Sequence, residues 1–279
     1  MQVISSAEEL TKQILAVKPR KTGFVPTMGC LHEGHVSLIK KSKAEDGLTV
    51  CSIFINPTQF NNPDDFKKYP VTTAQDIQLL TDLECDILFL PAVTEIYPAG
   101  YQYKTYDIGT LDNIWEGQHR PGHFQGVCNV MDRLLEIVPA DDLWMGQKDF
   151  QQCLVIQKLL GLTNRTGIHF HMISTIREAS GLAMSSRNTR LSKEGFSKAA
   201  ALREALAMIK AQYQTIPFSV LEDKAKDFVL ERGFEKIEYL SVALQENLMP
   251  AERFQSNEKY VVLTAAWIEN VRLIDNILL

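Results

Sequence analysis

The stretch Gly23-Phe24-Val25-Pro26-Thr27-Met28-Gly29-Cys30-Leu31-His32-Glu33-Gly34-His35 decides the fold. It starts as an apolar, strand-like run, passes through a glycine turn, and opens a segment with helical spacing at Val36, Leu38 and Ile39. A strand that turns sharply into a helix leaves free backbone N–H groups and a positive dipole end at the turn. Both favour an anion such as a nucleotide phosphate. Gly29 and Gly34 remove side chains where a base or phosphate must approach the backbone. His32 and His35 stand about one helical turn apart and share a face. Such a pair suits nucleotidyl transfer, in which charge builds on the α-phosphate and on departing pyrophosphate. A metal pair or two surface histidines are the plainer alternatives. Helical metal pairs prefer i, i+4 spacing, and no third histidine stands near in sequence.

Working outward, Ser6-Ala7-Glu8-Glu9 reads as a capping box that opens a helix to about residue 17. Strands are predicted at 22–25, 48–55, 85–91, 143–145 and 168–176, and helices at 35–45, 73–83, 126–138 and 149–160. The run 48–55 is almost wholly apolar and β-branched, as a strand covered on both faces requires. The alternation implies an α/β fold with a doubly wound parallel (Rossmann-like) sheet. In such sheets ligands bind beyond the carboxyl ends of the strands. The segments 26–35, 56–70, 146–152 and 177–190 all fall there.

Past this region the composition changes. A long Ala/Lys/Leu-rich helix is predicted over 192–213, another over 218–232, and strands at 237–242, 260–266 and 271–274. The expected domains are a nucleotide- and substrate-binding domain over 1–177 and a second, smaller α+β domain over 178–279. The second is read as a lid and dimer element, with a hinge in the loop 177–190.

The chain has 279 residues, 45% hydrophobic and 23% charged, which suits a soluble enzyme. A net charge of −5 argues against general nucleic-acid binding but leaves room for a local basic pocket. No apolar stretch is long enough to cross a bilayer, and the start lacks the features of a signal peptide. The expected location is cytoplasmic, with no membrane partner. The five cysteines form no C-x-x-C pair and read as reduced and non-catalytic.

Four further segments carry chemistry. In Asn56-Pro57-Thr58-Gln59-Phe60, followed by residues 61–65, Gln59 offers an amide to a substrate bearing carboxylate and hydroxyl groups; a solvated turn is the alternative. In Gly146-Gln147-Lys148-Asp149-Phe150-Gln151-Gln152, Lys148 supplies a point charge for phosphate, Asp149 caps a helix or meets a ribose hydroxyl, and Gln152 faces the same mouth. In Gly181-Leu182-Ala183-Met184-Ser185-Ser186-Arg187-Asn188, two hydroxyls and a guanidinium form a pyrophosphate clamp or, alternatively, a solvated linker. Arg120 and His123 bind an anionic substrate group or else hold the loop or an oligomer contact.

Taken together, Pro-Thr-Met-Gly, His-x-Gly-His, Asn-Pro-x-Gln-Phe, Gly-x-Lys-Asp-Phe-Gln-Gln and Ser-Ser-Arg-Asn resemble the pantoate–β-alanine ligase family, over essentially the whole chain. The resemblance extends to Ala265-Ala266-Trp267 and Arg272-Leu273-Ile274-Asp275-Asn276. It implies ATP binding by Met28, Gly29, Cys30, Leu31, His32, Glu33, Gly34, His35, Gly146, Gln147, Lys148, Asp149, Ile176, Met184, Ser185, Ser186 and Arg187. It implies that His35 stabilises the leaving group, and that Gln59 and Gln152 bind pantoate, with Gln59 also near β-alanine. Magnesium, a homodimer, and pantoate and β-alanine as substrates are implied as well. The metal ligands are open, with Asp76 a candidate. Gln147, where Glu is frequent, and Cys30 depart from the common pattern.

The expected reaction is an ATP-dependent ligation through an acyl adenylate. His32, His35, Lys148, Ser185, Ser186 and Arg187 would carry catalysis by positioning and charge stabilisation. A cytidylyl- or adenylyltransferase also uses His-x-Gly-His but keeps the nucleotide on its product. A nucleotide sensor without turnover is the non-enzymatic rival. Gln59 and Gln152 favour a small hydroxy acid over a phosphorylated acceptor.

Overall fold

The structure is a computed structural model that describes residues 1–61 and 66–279. It divides into two compact units: Met1–Gly146 with Val155–Ser174, and Gln147–Leu154 with Thr175–Leu279. The loop 177–190 lies wholly in the second unit. Of the segment 56–70, residues 62–65 lie outside the described residues.

The first unit holds β1 (Gln2–Ile4), α1 (Ala7–Ala16), β2 (Thr22–Thr27), α2 (Glu33–Glu45), β3 (Leu48–Ile53), α3 (Thr73–Asp82) and β4 (Ile87–Phe89). It continues with the short helices α4 (Val93–Ile96) and α5 (Glu116–His119), then α6 (His123–Ile137), β5 (Asp142–Gly146) and β6 (His169–Ile173). The six strands are all parallel, in the order β1-β4-β3-β2-β5-β6. Every residue of β3 is buried, as the run of apolar and β-branched residues requires. Val25, Leu38, Ile39, Cys51, Ile53, Leu80, Leu88 and Trp144 form one apolar cluster. Each large apolar side chain so buried stabilises the fold by about 1.5–3 kcal/mol. The edge strand β1 pairs with β4. It is too short to give a readable alternation in the sequence.

Strand order reverses direction between β2 and β5, and a ligand crevice belongs at that point. One residue opens it. The strand expected to stop at Val25 runs on to Thr27, through Pro26. Proline has no N–H to give a neighbour. The ladder to β5 ends at Phe24, opposite Leu143, whereas the ladder to β3 continues through Pro26 and Thr27. The carboxyl ends of β2 and β5 are therefore unpaired with each other.

The second unit contains the segment 147–154, with the first turns of α7 (Phe150–Leu162), followed by α8 (Lys193–Ala199), α9 (Ala201–Gln212) and α10 (Phe218–Glu231). An antiparallel sheet follows, of β7 (Lys236–Leu244), β8 (Tyr260–Ile268) and β9 (Val271–Leu278). Leu202, Leu206, Ile209, Phe218, Val229, Leu240, Tyr260, Val262 and Leu273 fill its core. Glu269 and Asn270, both with positive φ, make the two-residue turn that matches hairpin twist. The single helix expected over 192–213 is two helices. Ser192 caps the first, and the ladder breaks at Ala200, where the Arg203 N–H donates to the Ala200 carbonyl three residues back at 3.0 Å.

Candidate active site

The loop after β2 is built by hydrogen bonds to two side chains. Thr27 Oγ1 accepts from the Gly29 N–H at 3.2 Å and donates to the Ser52 carbonyl at 2.8 Å. Asp76, 3% exposed on α3, takes the rest. Its Oδ2 accepts from the Cys30 N–H at 2.9 Å and from Thr72 Oγ1 at 3.1 Å, and its Oδ1 accepts from the Leu31 N–H at 2.8 Å. Both oxygens of Asp76, the candidate metal ligand, thus hold the loop. Among the described residues no three His, Cys, Asp or Glu side chains form a metal-holding group. Gly29 sits at φ +79°, and a Cβ there would press Asp76 and Ile53 at 3.1 Å. Cys30 also takes a positive φ, and burial pushes its thiol above the ordinary range, so it supplies no thiolate.

Helix α2 begins at Glu33, earlier than its apolar spacing suggests, and its cap is the histidine pair. His32 Nδ1 accepts from the Gly34 N–H at 3.1 Å, and His35 Nδ1 accepts from the His32 N–H at 3.2 Å. A backbone N–H can only donate, so both Nδ1 atoms are unprotonated and each neutral ring carries its proton on Nε2. The ring centroids lie 4.2 Å apart. Gly34 is obligatory here, because a Cβ would meet the His32 ring at 2.8 Å. The first-turn N–H groups of Gly34, His35 and Val36 all bond to His32, so the helix start presents its Nε2–H donors together with its dipole end.

Gln59 closes the turn Pro57–Gln59 after β3. Its orientation follows from Asn56, which is 1% exposed. Asn56 Nδ2 faces the Gly126 carbonyl at 3.1 Å and must be the donor there, which fixes the amide. Asn56 Oδ1 then accepts from Thr58 Oγ1 at 2.9 Å and from the Tyr97 hydroxyl at 3.0 Å. Asn56 Nδ2 also donates to Gln59 Oε1 at 3.2 Å. Gln59 therefore turns its Nε2 the other way, to Met28 Sδ at 2.8 Å. Sulfur is a weak acceptor, so the amide is presented beside residue 28 as a donor for a ligand oxygen. Arg120 and His123 reach the main-chain carbonyl of Gln59, at 3.4 and 2.7 Å. Of the three uses read from the sequence for these residues, the structure shows contacts of the loop-holding kind.

In the second unit, adjacent residues of β9 fix two of the expected segments. Asn276, 1% exposed, donates from Nδ2 to the Gln147 carbonyl at 2.9 Å and to the Lys148 carbonyl at 2.8 Å, and Gln147 Nε2 donates back to its Oδ1 at 3.0 Å. Gln147 thus serves as a tether. Lys148 Nζ lies 3.5 Å from Asp149 Oδ1. Asp275 accepts both Arg177 N–H arms at 2.7 and 2.9 Å, and Arg177 also donates to the Gly181 carbonyl at 3.0 Å. Residues 176–184 form a small hairpin, in which the Met184 N–H donates to the Ile176 carbonyl at 3.0 Å. Ser185 caps the turn Ser186–Arg190, its Oγ accepting from the Arg187 N–H at 3.3 Å. Gln152 is half-buried on the first turn of α7.

Sequence reading missed the anchoring roles of Asp76, Arg177, Asp275 and Asn276. Asp76 left a trace: it stands four residues before the buried Leu80, and a carboxylate on the buried face of a helix must be hydrogen-bonded. The other three act through contacts remote in sequence and left none.

The family model described as Pantoate-beta-alanine ligase matches residues 2–278. The chain is 44% identical over 281 residues to pantothenate synthetase of Cytophaga hutchinsonii, covering 99% of this chain and 98% of that protein. It is similar to the crystal structure of pantothenate synthetase from Thermus thermophilus, with a TM-score of 0.91, 35% identity and 99% of each chain covered. It is also similar to pantoate-beta-alanine ligase from Francisella tularensis, complexed with β-γ ATP and β-alanine. There the TM-score is 0.83 at 35% identity, over 100% of this chain and 97% of that one. With its parallel sheet, its histidine-capped helix and its oriented Gln59 all in place, the chain belongs to the pantoate-beta-alanine ligase family of enzymes.

Proposed function

We propose that this chain joins pantoate to β-alanine at the expense of ATP. A pantoate carboxylate oxygen attacks the α-phosphorus, and the bond to the β,γ-diphosphate breaks, giving pantoyl adenylate and pyrophosphate. The neutral amine of β-alanine then attacks the acyl carbon, AMP departs with the bonding pair, and the amine gives up a proton. Pantothenate, AMP and pyrophosphate result. The observation that supports this most is the start of α2, with two Nε2–H donors at a helix dipole end, together with a Gln59 amide turned as a donor to Met28 in the loop that leads there. That set favours phosphate oxygen next to a carboxylate or hydroxyl oxygen.

Residues 28–35 are assigned to ATP, with His35 and His32 stabilising charge on the phosphates. Gln59 and Gln152 are assigned to pantoate. In the second unit, Lys148, Ser185, Ser186 and Arg187 are assigned to phosphate, with Gln147, Asp149, Ile176 and Met184 assigned to the nucleotide; Gly146, at the end of β5 in the first unit, is assigned to the nucleotide as well. Both oxygens of Asp76 already serve the loop, so magnesium is assigned to the nucleotide as MgATP, held chiefly by phosphate and water. A cytoplasmic homodimer completes the reading. Among the described residues no helix is long and apolar enough to cross a membrane.

Mass spectrometry of products from ATP, pantoate and β-alanine tests the reading. Pantothenate and AMP in equal amounts are expected. ADP, or a product that retains the nucleotide, would contradict it.

A further inference from the structure

The turn that carries Gln59 is gripped from the side away from its amide. His123, 4% exposed at the start of α6, faces the Gln59 carbonyl through Nδ1 at 2.7 Å. A carbonyl only accepts, so Nδ1 carries the proton. Its other nitrogen, Nε2, faces Arg120 Nη1 at 3.0 Å, and a guanidinium only donates, so Nε2 is the acceptor and the ring is neutral. Arg120 Nη2 reaches the same Gln59 carbonyl at 3.4 Å, and Glu116, itself buried, pairs with Arg120 at 3.6 Å. Gly126, on the same helix as His123, presses from below. A Cβ there would lie 2.4 Å from the Thr58 carbonyl oxygen and 2.9 Å from the Gln59 nitrogen. The main chain at Gln59 is thus pinned by the buried His123 and Glu116 and the half-buried Arg120, through contacts to its carbonyl and not to its side-chain amide.

We propose that Arg120 and His123 are positioning residues that set Gln59 for the hydroxy acid by holding its main-chain carbonyl. The proposal rests on the assignment of Gln59 to pantoate. A turn of three residues has no ladder of its own, so an error of a few tenths of an ångström at its carbonyl carries directly to the amide. The ATP loop is anchored separately, by Asp76 and Thr27, so loosening Gln59 leaves it in place.

The test compares His123→Leu, which fills the space without a donor, with His123→Asn, which keeps an N–H at the Nδ1 position. The assay is pantoate-dependent exchange of pyrophosphate into ATP. His123→Leu is expected to raise KM for pantoate roughly tenfold or more and to leave KM for ATP within about twofold, with His123→Asn close to the unsubstituted enzyme. Arg120→Met is expected to follow His123→Leu and decides the matter if the latter fails to fold. A joint rise of both KM values, a His123→Asn variant as poor as His123→Leu, or a folded His123→Leu with unchanged pantoate KM would each overturn the proposal. Exchange absent from the unsubstituted enzyme would instead sink the functional reading beneath it.

Discussion

His32 and His35 cap one helix reciprocally: His32 Nδ1 accepts from inside the first turn, and His35 Nδ1 accepts from the His32 main chain. The cap uses up the nitrogen that would otherwise serve as a base, so each ring can face a phosphate only as a donor. Nitrogen-15 NMR should show His32 and His35 with the proton on Nε2 and a bare Nδ1 at neutral pH. His35→Ala is expected to lower turnover about a hundred- to a thousand-fold with the fold intact, the usual loss for one charge-stabilising group. A proton on Nδ1 of His35, or near-normal turnover without it, would remove the residue from this role.

Asp76→Asn keeps the shape of the loop anchor but turns an N–H₂ toward a backbone N–H. The expected cost is about 1–3 kcal/mol, with a higher KM for ATP, because one of the Cys30 and Leu31 donors loses its acceptor. Excess magnesium is expected not to restore activity. Rescue by magnesium would return Asp76 to the list of metal ligands.

Asn276→Ala should weaken the second unit by a similar amount, about 1–3 kcal/mol, since two carbonyls lose their donor. Freed from β9, the turn Gln147–Asp149 no longer fixes Lys148, and KM for ATP is expected to rise. Thermal melts with and without ATP read both effects. An unchanged melt would show that the tether contributes nothing.

At the opposite end of the first sheet, Asp46 and Asp142 face each other. Burial first, and then the facing Asp142, hold Asp46 above the usual carboxylate range, against hydrogen bonds from Trp144 and Ser42. Burial would also raise Asp142, but hydrogen bonds from His171 and Asp46 and the charge of Lys21 outweigh it and hold it low. A raised native pKa means that Asp46 contributes fully below its unfolded value, about 4, and that the contribution is lost as pH rises through the native value. Asp46→Asn keeps an acceptor for the Trp144 N–H and gives Asp142 Oδ2, otherwise without a hydrogen bond, a permanent donor. The variant is expected to melt above the unsubstituted protein at neutral pH, with the gap closing near about pH 4. A lower melting temperature at neutral pH would contradict a raised Asp46 facing Asp142.

Much of the sheet was legible because β3 is buried on both faces and its sequence shows this directly. Pro26 misled: proline reads as a strand end, yet it sits inside β2 at the point where pairing with β5 has already stopped. The nucleotide loop was legible from its glycines and histidines. The use of those histidines as caps was not, since a cap depends on ring orientation that spacing alone leaves free. The anchors Asp76 and Asn276 serve main-chain atoms 45 or more residues away, and no local pattern records such a contact.

The central claim is that an acyl adenylate forms before the amine reacts. Exchange of labelled pyrophosphate into ATP tests it most directly, with pantoate present and β-alanine withheld. The account predicts exchange that requires pantoate, stops in its absence, and yields AMP in quantity only when β-alanine is added. Exchange that needs β-alanine but not pantoate, or release of ADP and phosphate, would contradict it.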